Sequence, residues 1–349
     1  MEANITVVVP IYNVEKYVAK CLNSLIKQNY TNFEVLCVDD GSPDNSKAIV
    51  KKYAEKDSRI KLIEKENGGY GSVLQYSINN IRTEYFLICD PDDWLESTAL
   101  KNLYEFAESN NLDIAVGDMY GVYPEGNDYV KKYIHTFYDE LRILPNRVYT
   151  DKNIIEKFSF GHVSPHAKLF RTEIVKNINF PFKVSYTDFV LYMLALDHAN
   201  RVGYINKPLA FYLMDRPGNT RTDIRKSIIY DYCKVWDATL EQIDKNNPLL
   251  MDRLFEQLKF MLTEYTRVEI PDFKDPYGKS VLKRIYKFRK YKNNVKLLDK
   301  SLKEKIIYYG LMNKYTTNYF AKYYCKMKNK KMIYSEEKHN YGNICKKNI

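Results

Sequence analysis

Residues Phe33–Ser42 read FEVLCVDDGS, an apolar run that ends abruptly in two carboxylates, a glycine and a serine. Five or so apolar residues in succession mark a strand covered on both faces, as in the interior of a parallel sheet. Carboxylates do not belong inside such a strand, so Asp39 and Asp40 fall at its carboxyl end. Ligands of open α/β sheets bind just beyond those ends. The same construction returns in YFLICDPDDWL, Tyr85–Leu95, where Asp90, Asp92 and Asp93 follow a second apolar run. Both clusters therefore point into one crevice. Crowded carboxylates repel one another and raise each other's pKa, so a cation is needed among them. A divalent ion that prefers hard oxygen ligands, Mg2+ or Mn2+, meets the need. The competing account is turn and cap chemistry, which Asp-Gly-Ser and Asp-Pro both favour. It explains either cluster alone but not their convergence.

Around these two runs, the first hundred residues alternate strand and helix patterns, which predicts βαβ units and a mostly parallel sheet flanked by helices. Ile5–Val9 is a β-branched strand closed by Pro10, and Val14–Lys27 carries Val18, Leu22, Leu25 and Ile26 at helical spacing. Ser42 or Asp44 is placed to cap the helix through Ile49 and Tyr53. Ile60–Ile63 is a third strand, followed by the Asn67–Gly71 turn and a helix over Ser72–Ile81. Thr98–Ser109 reads as a helix and Ile114–Val116 as a strand. From Tyr120 to about Ser164 the chain is rich in Tyr, Asn and charge, with loop character. Order returns at Lys168–Arg171, at a helix over Asp188–Ala199 and at a strand over Val202–Ile205. Beyond about Asp223 the pattern is helical. The expected division is an α/β catalytic domain over residues 1–220 and a helical basic region over 221–349.

With 349 residues and 45% hydrophobic content, the chain can bury a full core. No stretch approaches the length of apolar sequence that spans a bilayer, and no leader pattern opens the chain, so a cytoplasmic location is expected. Six cysteines show no CxxC pair, which predicts neither a disulfide framework nor a zinc site. The net charge of +10 is unevenly placed: from Ser280 onward 19 Lys and Arg face 4 Asp and Glu, a net of +15. Cations there interleave with aromatics, as in KRIYKFRKYK, Lys283–Lys292. This suits peripheral adsorption to an anionic membrane surface. A solvated helical subdomain with aromatic core positions is the plain alternative. Single-stranded nucleic acid has the least claim.

Four motifs in order, TVVVPIYN (Thr6–Asn13), VDDGSPDNS (Val38–Ser46), ENGGYGS (Glu66–Ser72) and DPDDWL (Asp90–Leu95), closely resemble those of family-2 glycosyltransferases over residues 4–220. The resemblance implies a GT-A type fold and transfer of a sugar, with inversion, from a nucleotide diphosphate donor, UDP favoured. It also implies a donor site of Pro10, Tyr12, Asn13, Asp40, Gly69, Asp92 and Arg216. Within it Asp40, Tyr12 and Asn13 would meet the base, and Arg216 the diphosphate. Asp93, with Asp92, would hold the Mn2+ or Mg2+ ion; Asp39 and Asp90 are lesser candidates. Asp188, in Ser185–Phe189, matches the family's catalytic base, although Thr187 stands where relatives often carry an acidic residue. Leu74-Gln75-Tyr76 likewise replaces a common Ala-Arg-Asn run.

His162 and His166 form an HxxxH broken by Pro165, which favours acceptor contact or loop packing for His166 over zinc. The expected acceptor is a saccharide or lipid-linked saccharide of a surface glycan. Two other functions compete. A nucleotidyltransferase would need a glycine-rich basic phosphate loop after the first strand, which Pro10-Ile11-Tyr12-Asn13 is not. A catalytically silent nucleotide- or glycan-binding subunit would bind donor without turnover.

Overall fold

The computed structural model describes residues 3–126, 128–214, 225–269, 271–297 and 300–329. In chain order the elements of the α/β part are β1 (Ile5–Ile11), α1 (Val18–Ile26), β2 (Phe33–Asp39), α2 (Ser46–Ala54), β3 (Ile60–Glu64), α3 (Tyr70–Asn80), β4 (Tyr85–Ile88), β5 (Trp94–Leu95), α4 (Ala99–Ser109) and β6 (Ile114–Glu125). They continue with β7 (Asp128–Ile134), β8 (Arg147–Tyr149), α5 (Lys152–Lys157), β9 (Lys168–Arg171), α6 (Asp188–His198) and β10 (Val202–Leu213). The helical part holds α7 (Ile228–Gln242), α8 (Pro248–Val268), α9 (Pro276–Phe288) and α10 (Leu302–Met312), and residues 317–329 are helical. The chain divides into two compact units, Met1–Thr222 with Ala238–Asp244, and Asp223–Asp237 with Lys245–Ile349.

The sheet runs β3-β2-β1-β4-β9-β6-β10-β5, with β7 on β6 and β8 on β10. Its first four strands are parallel, and β9 enters antiparallel between β4 and β6. Every residue of β1 and β4 is buried, which is why both read as unbroken apolar runs. The strand order reverses at β1, since β2 and β3 lie to one side of it and β4 to the other. A crevice opens at such a point. Pro10 belongs to β1 rather than ending it, paired with Val38. Val8 turns its carbonyl to β4, where it accepts from Cys89 N–H, and two residues on Pro10 faces the same side. By then β4 has ended at Ile88, so the missing N–H of proline costs no ladder bond.

The segment expected as loop is irregular over much of its length but not throughout: β6 extends to Glu125 and turns into β7, and β8 and α5 follow; outside that segment, β10 runs on past Ile205 to Leu213. Six of the seven β7 residues are exposed. A ribbon wet on both faces carries Tyr, Lys and Asp throughout and shows no apolar alternation to read.

In the helical unit, Asp252 of α8 is 3% exposed, with Oδ1 lacking a partner and Lys300 Nζ at 3.9 Å from Oδ2. Burial pushes its carboxyl up to about 6, with Lys300 working the other way. The raised value favours folding only while the group stays protonated. As pH climbs toward 6, the unfolded chain gives up its proton first and stability is lost. At about 1.4 kcal/mol per unit, the full penalty is on the order of 2–3 kcal/mol. Asp252→Asn should therefore raise the Tm relative to the unaltered chain at pH 8 but hardly at pH 4. An offset that does not change with pH would contradict this.

Candidate functional site

Asp40 follows directly on β2 and is 3% exposed. Its carboxylate accepts from the backbone N–H groups of Gly68 at 2.9 Å and Gly69 at 2.7 Å, and from Lys65 Nζ at 2.5 Å. Gly69 has φ 79°, and a Cβ on it would lie 3.0 Å from Lys183 Cα, so only glycine fits. The next residue, Tyr70, opens α3 and donates its hydroxyl to Asp90 Oδ1 at 2.9 Å. The two acidic clusters are thus joined through Asp40, Gly69, Tyr70 and Asp90. Asp40 is committed to this turn. Asp39 is not: its Oδ2 accepts from Ser42 N–H at 3.3 Å, while Oδ1 is buried with no hydrogen-bond partner.

Asp93, 2% exposed, accepts from Leu213 N–H at 2.7 Å through Oδ1 and lies 2.5 Å from His166 Nε2 through Oδ2. The His166 ring packs on Tyr212 at 4.6 Å, and its Nδ1 is buried without a partner. Burial opposes a charged imidazole, yet Asp93 and Asp90 outweigh it and hold the His166 pKa above its ordinary value. Burial also pushes the Asp90 carboxyl up to about 7. His162, by contrast, lies beside Tyr138, with ring centroids 6.1 Å apart, and is not part of the ligand group that His166 forms with Asp90 and Asp93.

Asp90, Asp93 and His166 each offer a ligand atom within 4.8 Å of the others, and Asp92 is not part of that group. Two carboxylates, an imidazole with an unsatisfied nitrogen and raised carboxyl pKa values fit a divalent cation. Mg2+ prefers oxygen almost throughout, whereas Mn2+ accepts imidazole as well, so the mixed set suits Mn2+ better.

Asp188 is the first residue of α6. Burial raises its pKa, opposed by the Phe189 N–H and by the charges of His166 and Lys168. A carboxyl so raised is a stronger base than one in water. Lys168 on β9 went unread as a site residue. It is fully buried, donates to the Ser164 carbonyl at 2.6 Å, and lies 4.9 Å from the Tyr192 ring centroid. Burial pushes its ammonium down to about 7 against the pull of Asp188 and Asp118.

Pro10 is buried in β1, Tyr12 is half-exposed just beyond it, and Asn13 has φ 54°. Ala167 (φ 51°), Lys183 (φ 54°) and Tyr186 (φ 65°) are also left-handed, beside His166, Gly69 and Asp188 respectively. Each such residue costs on the order of 1 kcal/mol, and strain of this kind collects at functional sites. Arg216 lies outside the described residues.

Residues 6–178 match the family model described as glycosyl transferase family 2. The chain is 32% identical over 251 residues to glycosyltransferase GlyG of Streptococcus pneumoniae, covering 69% of this chain and 80% of GlyG. It is 35% identical over 221 residues to glycosyltransferase GlyA of the same organism, where the match covers 61% of this chain but only 31% of GlyA's length. Among solved structures, residues 1–349 of S. aureus TarS in complex with UDP-GlcNAc superpose with a TM-score of 0.69 at 20% identity, covering 95% of this chain and 92% of that one. That likeness supports the GT-A fold.

Proposed function

The chain belongs to glycosyl transferase family 2, and from that membership we propose that it moves a sugar with inversion from a UDP-sugar to a saccharide or lipid-linked saccharide of a surface glycan. The observation that carries this reading is the joining of both acidic clusters at the strand-order reversal, through Asp40, the Gly68–Gly69 turn, Tyr70 and Asp90. Asp39 Oδ1, buried and unpartnered, is suited to accept from the ring N–H of a uracil base, beside Tyr12 and Asn13. Arg216 retains its proposed part at the diphosphate. Asp90, Asp93 and His166 would hold Mn2+, or Mg2+ in its place, which when bound neutralises the leaving diphosphate. Asp188 takes the proton from the acceptor hydroxyl as its oxygen bonds to the anomeric carbon, while the bond to the diphosphate breaks on the opposite face.

A panel of nucleotide sugars, scored by thermal shift and by Mn2+-dependent hydrolysis, tests this. One UDP-sugar should stabilise the protein and release UDP. Binding without turnover on any acceptor would instead favour the silent binding subunit, and a response to no nucleotide sugar would end the reading.

The helical unit carries a second part of the proposal, peripheral attachment to an anionic membrane, at its cytoplasmic face. Among the described residues no helix is long and apolar enough to cross a bilayer. On α10, Leu302 (76% exposed), Ile306 (51%) and Tyr309 (64%) recur at helical spacing, and Tyr319 and Tyr323 repeat the pattern in residues 317–329. Lys303, Lys305, Lys322 and Lys326 lie among them. Such a stripe suits the lipid interface. Vesicles with anionic lipid should retain the protein in low salt and release it as salt screens the charges, while neutral vesicles should not bind it. Equal retention after truncation at residue 280 would rule the attachment out.

A further inference from the structure

Immediately after Asp93, Trp94 begins a row of aromatic rings across four strands. Phe211 pairs with Trp94 on one side and with Tyr120 on the other, and Tyr120 pairs with Tyr133. Trp94 and Phe211 stack at 5.4 Å with planes 15° apart, Phe211 and Tyr120 at 5.4 Å and 21°, and Tyr133 meets Tyr120 edge-on at 5.7 Å. The row starts one residue from the cation group, and its β10 member lies two residues before Leu213, which bonds Asp93.

Two ammonium groups rest on these rings. Lys20 of α1 places Nζ 3.2 Å from the Trp94 centroid and 4.1 Å from that of Tyr129, and Lys131 of β7 lies 4.8 Å above Phe211. Among the described residues neither makes an ion pair or a hydrogen bond. The rings take up part of each ammonium's surface, two of them at Lys20 and one at Lys131, and accept no N–H hydrogen bond of the kind a phosphate oxygen would. The two charges also repel: the Lys20 pKa is lowered, first by burial and then by Lys131. Like charges brought together without a counter-ion are unfavourable until an anion joins them.

We propose that Lys20 and Lys131 form an anion subsite that binds a phosphate ester carried by the acceptor, next to the hydroxyl that receives the sugar. This rests on the reading of the Asp93 neighbourhood as the transfer site. With the ammoniums seated on the rings of the row that begins beside Asp93, the subsite would select acceptors bearing a phosphate near the reacting hydroxyl.

The test is calorimetric titration of the full chain with a synthetic glycerol-phosphate hexamer, an uncharged glycerol hexamer and inorganic phosphate. The unaltered protein should bind the charged hexamer most tightly, the uncharged one poorly, and free phosphate weakly. Lys20→Gln and Lys131→Gln should each weaken hexamer binding about tenfold, as expected for loss of one charge-assisted contact. Lys20→Arg and Lys131→Arg should largely keep it, which separates lost charge from a damaged fold. The thermal shift given by the UDP-sugar should survive in the Gln variants, so failure here is distinct from failure of the donor reading. Equal binding of charged and uncharged hexamers would overturn the proposal, as would unchanged hexamer affinity in the double Gln variant. Loss of UDP-sugar binding in the Gln variants would also overturn it, by moving the pair to the donor diphosphate. Free phosphate binding as tightly as the hexamer would reduce the site to one for a lone ion and end the acceptor assignment.

Discussion

Asp93→Asn should lower metal-supported transfer by about a thousandfold, on the scale of losing one preorganised charge-stabilising group, about 4 kcal/mol. Asparagine has nearly the same shape, and its amide oxygen can still accept from Leu213 N–H, so the join to β10 and the fold should persist. What disappears is the negative charge that faces His166 at 2.5 Å. Without it a cation loses one of its two carboxylates, and the buried imidazole loses the partner that favours its charged form. Melting curves and kinetics with added Mn2+ would check both halves of the expectation. Full activity of the variant, or of the unaltered enzyme in EDTA, would sink the metal assignment.

The second large effect is expected at Asp188. Replacement by asparagine removes the proton acceptor while leaving the start of α6 intact, so kcat should fall by ~10² to 10⁴. Donor affinity should stay within a few-fold, because Asp39, Asp40 and Asp93 lie on other elements. Titration calorimetry with the UDP-sugar, alongside initial rates on a soluble acceptor, separates the two quantities. A large loss of donor affinity with normal turnover would move Asp188 into the donor site. A product that keeps the donor's anomeric configuration would remove the need for such a base.

Much of this arrangement was legible because burial on both faces leaves a plain trace. β1, β2 and β4 are apolar throughout or nearly so, and the carboxylates that follow them could only be strand ends. Pairing across long separations left no such trace. Nothing in His166 announces that it meets a carboxylate 73 residues earlier. Nothing in KLFR says that this strand is inserted between β4 and β6. Lys168 was passed over for a related reason, since lysine is almost always exposed and only the packed fold shows this one sealed in. Cap chemistry misled more locally. Helix α1 begins at Val18, four residues later than its pattern suggests, after a turn in which Val18 N–H bonds the Val14 carbonyl. Asn45, not Ser42 or Asp44, stands at the N-cap of α2 and makes no side-chain cap bond. Asp44 accepts from Ser46 N–H instead, at 3.1 Å.

The grip of Asp40 on the Gly68 and Gly69 amides carries over into solution dynamics. Glycine amides in a partly exposed turn ordinarily trade their protons with solvent within moments, yet these two are each sequestered by a buried carboxylate and open only when the turn itself lets go. In deuterated buffer they should behave as slow protons between faster neighbours. Their exchange then serves as a label-free clock for the turn's opening, and its slowing on addition of a nucleotide sugar would measure occupancy without any turnover at all.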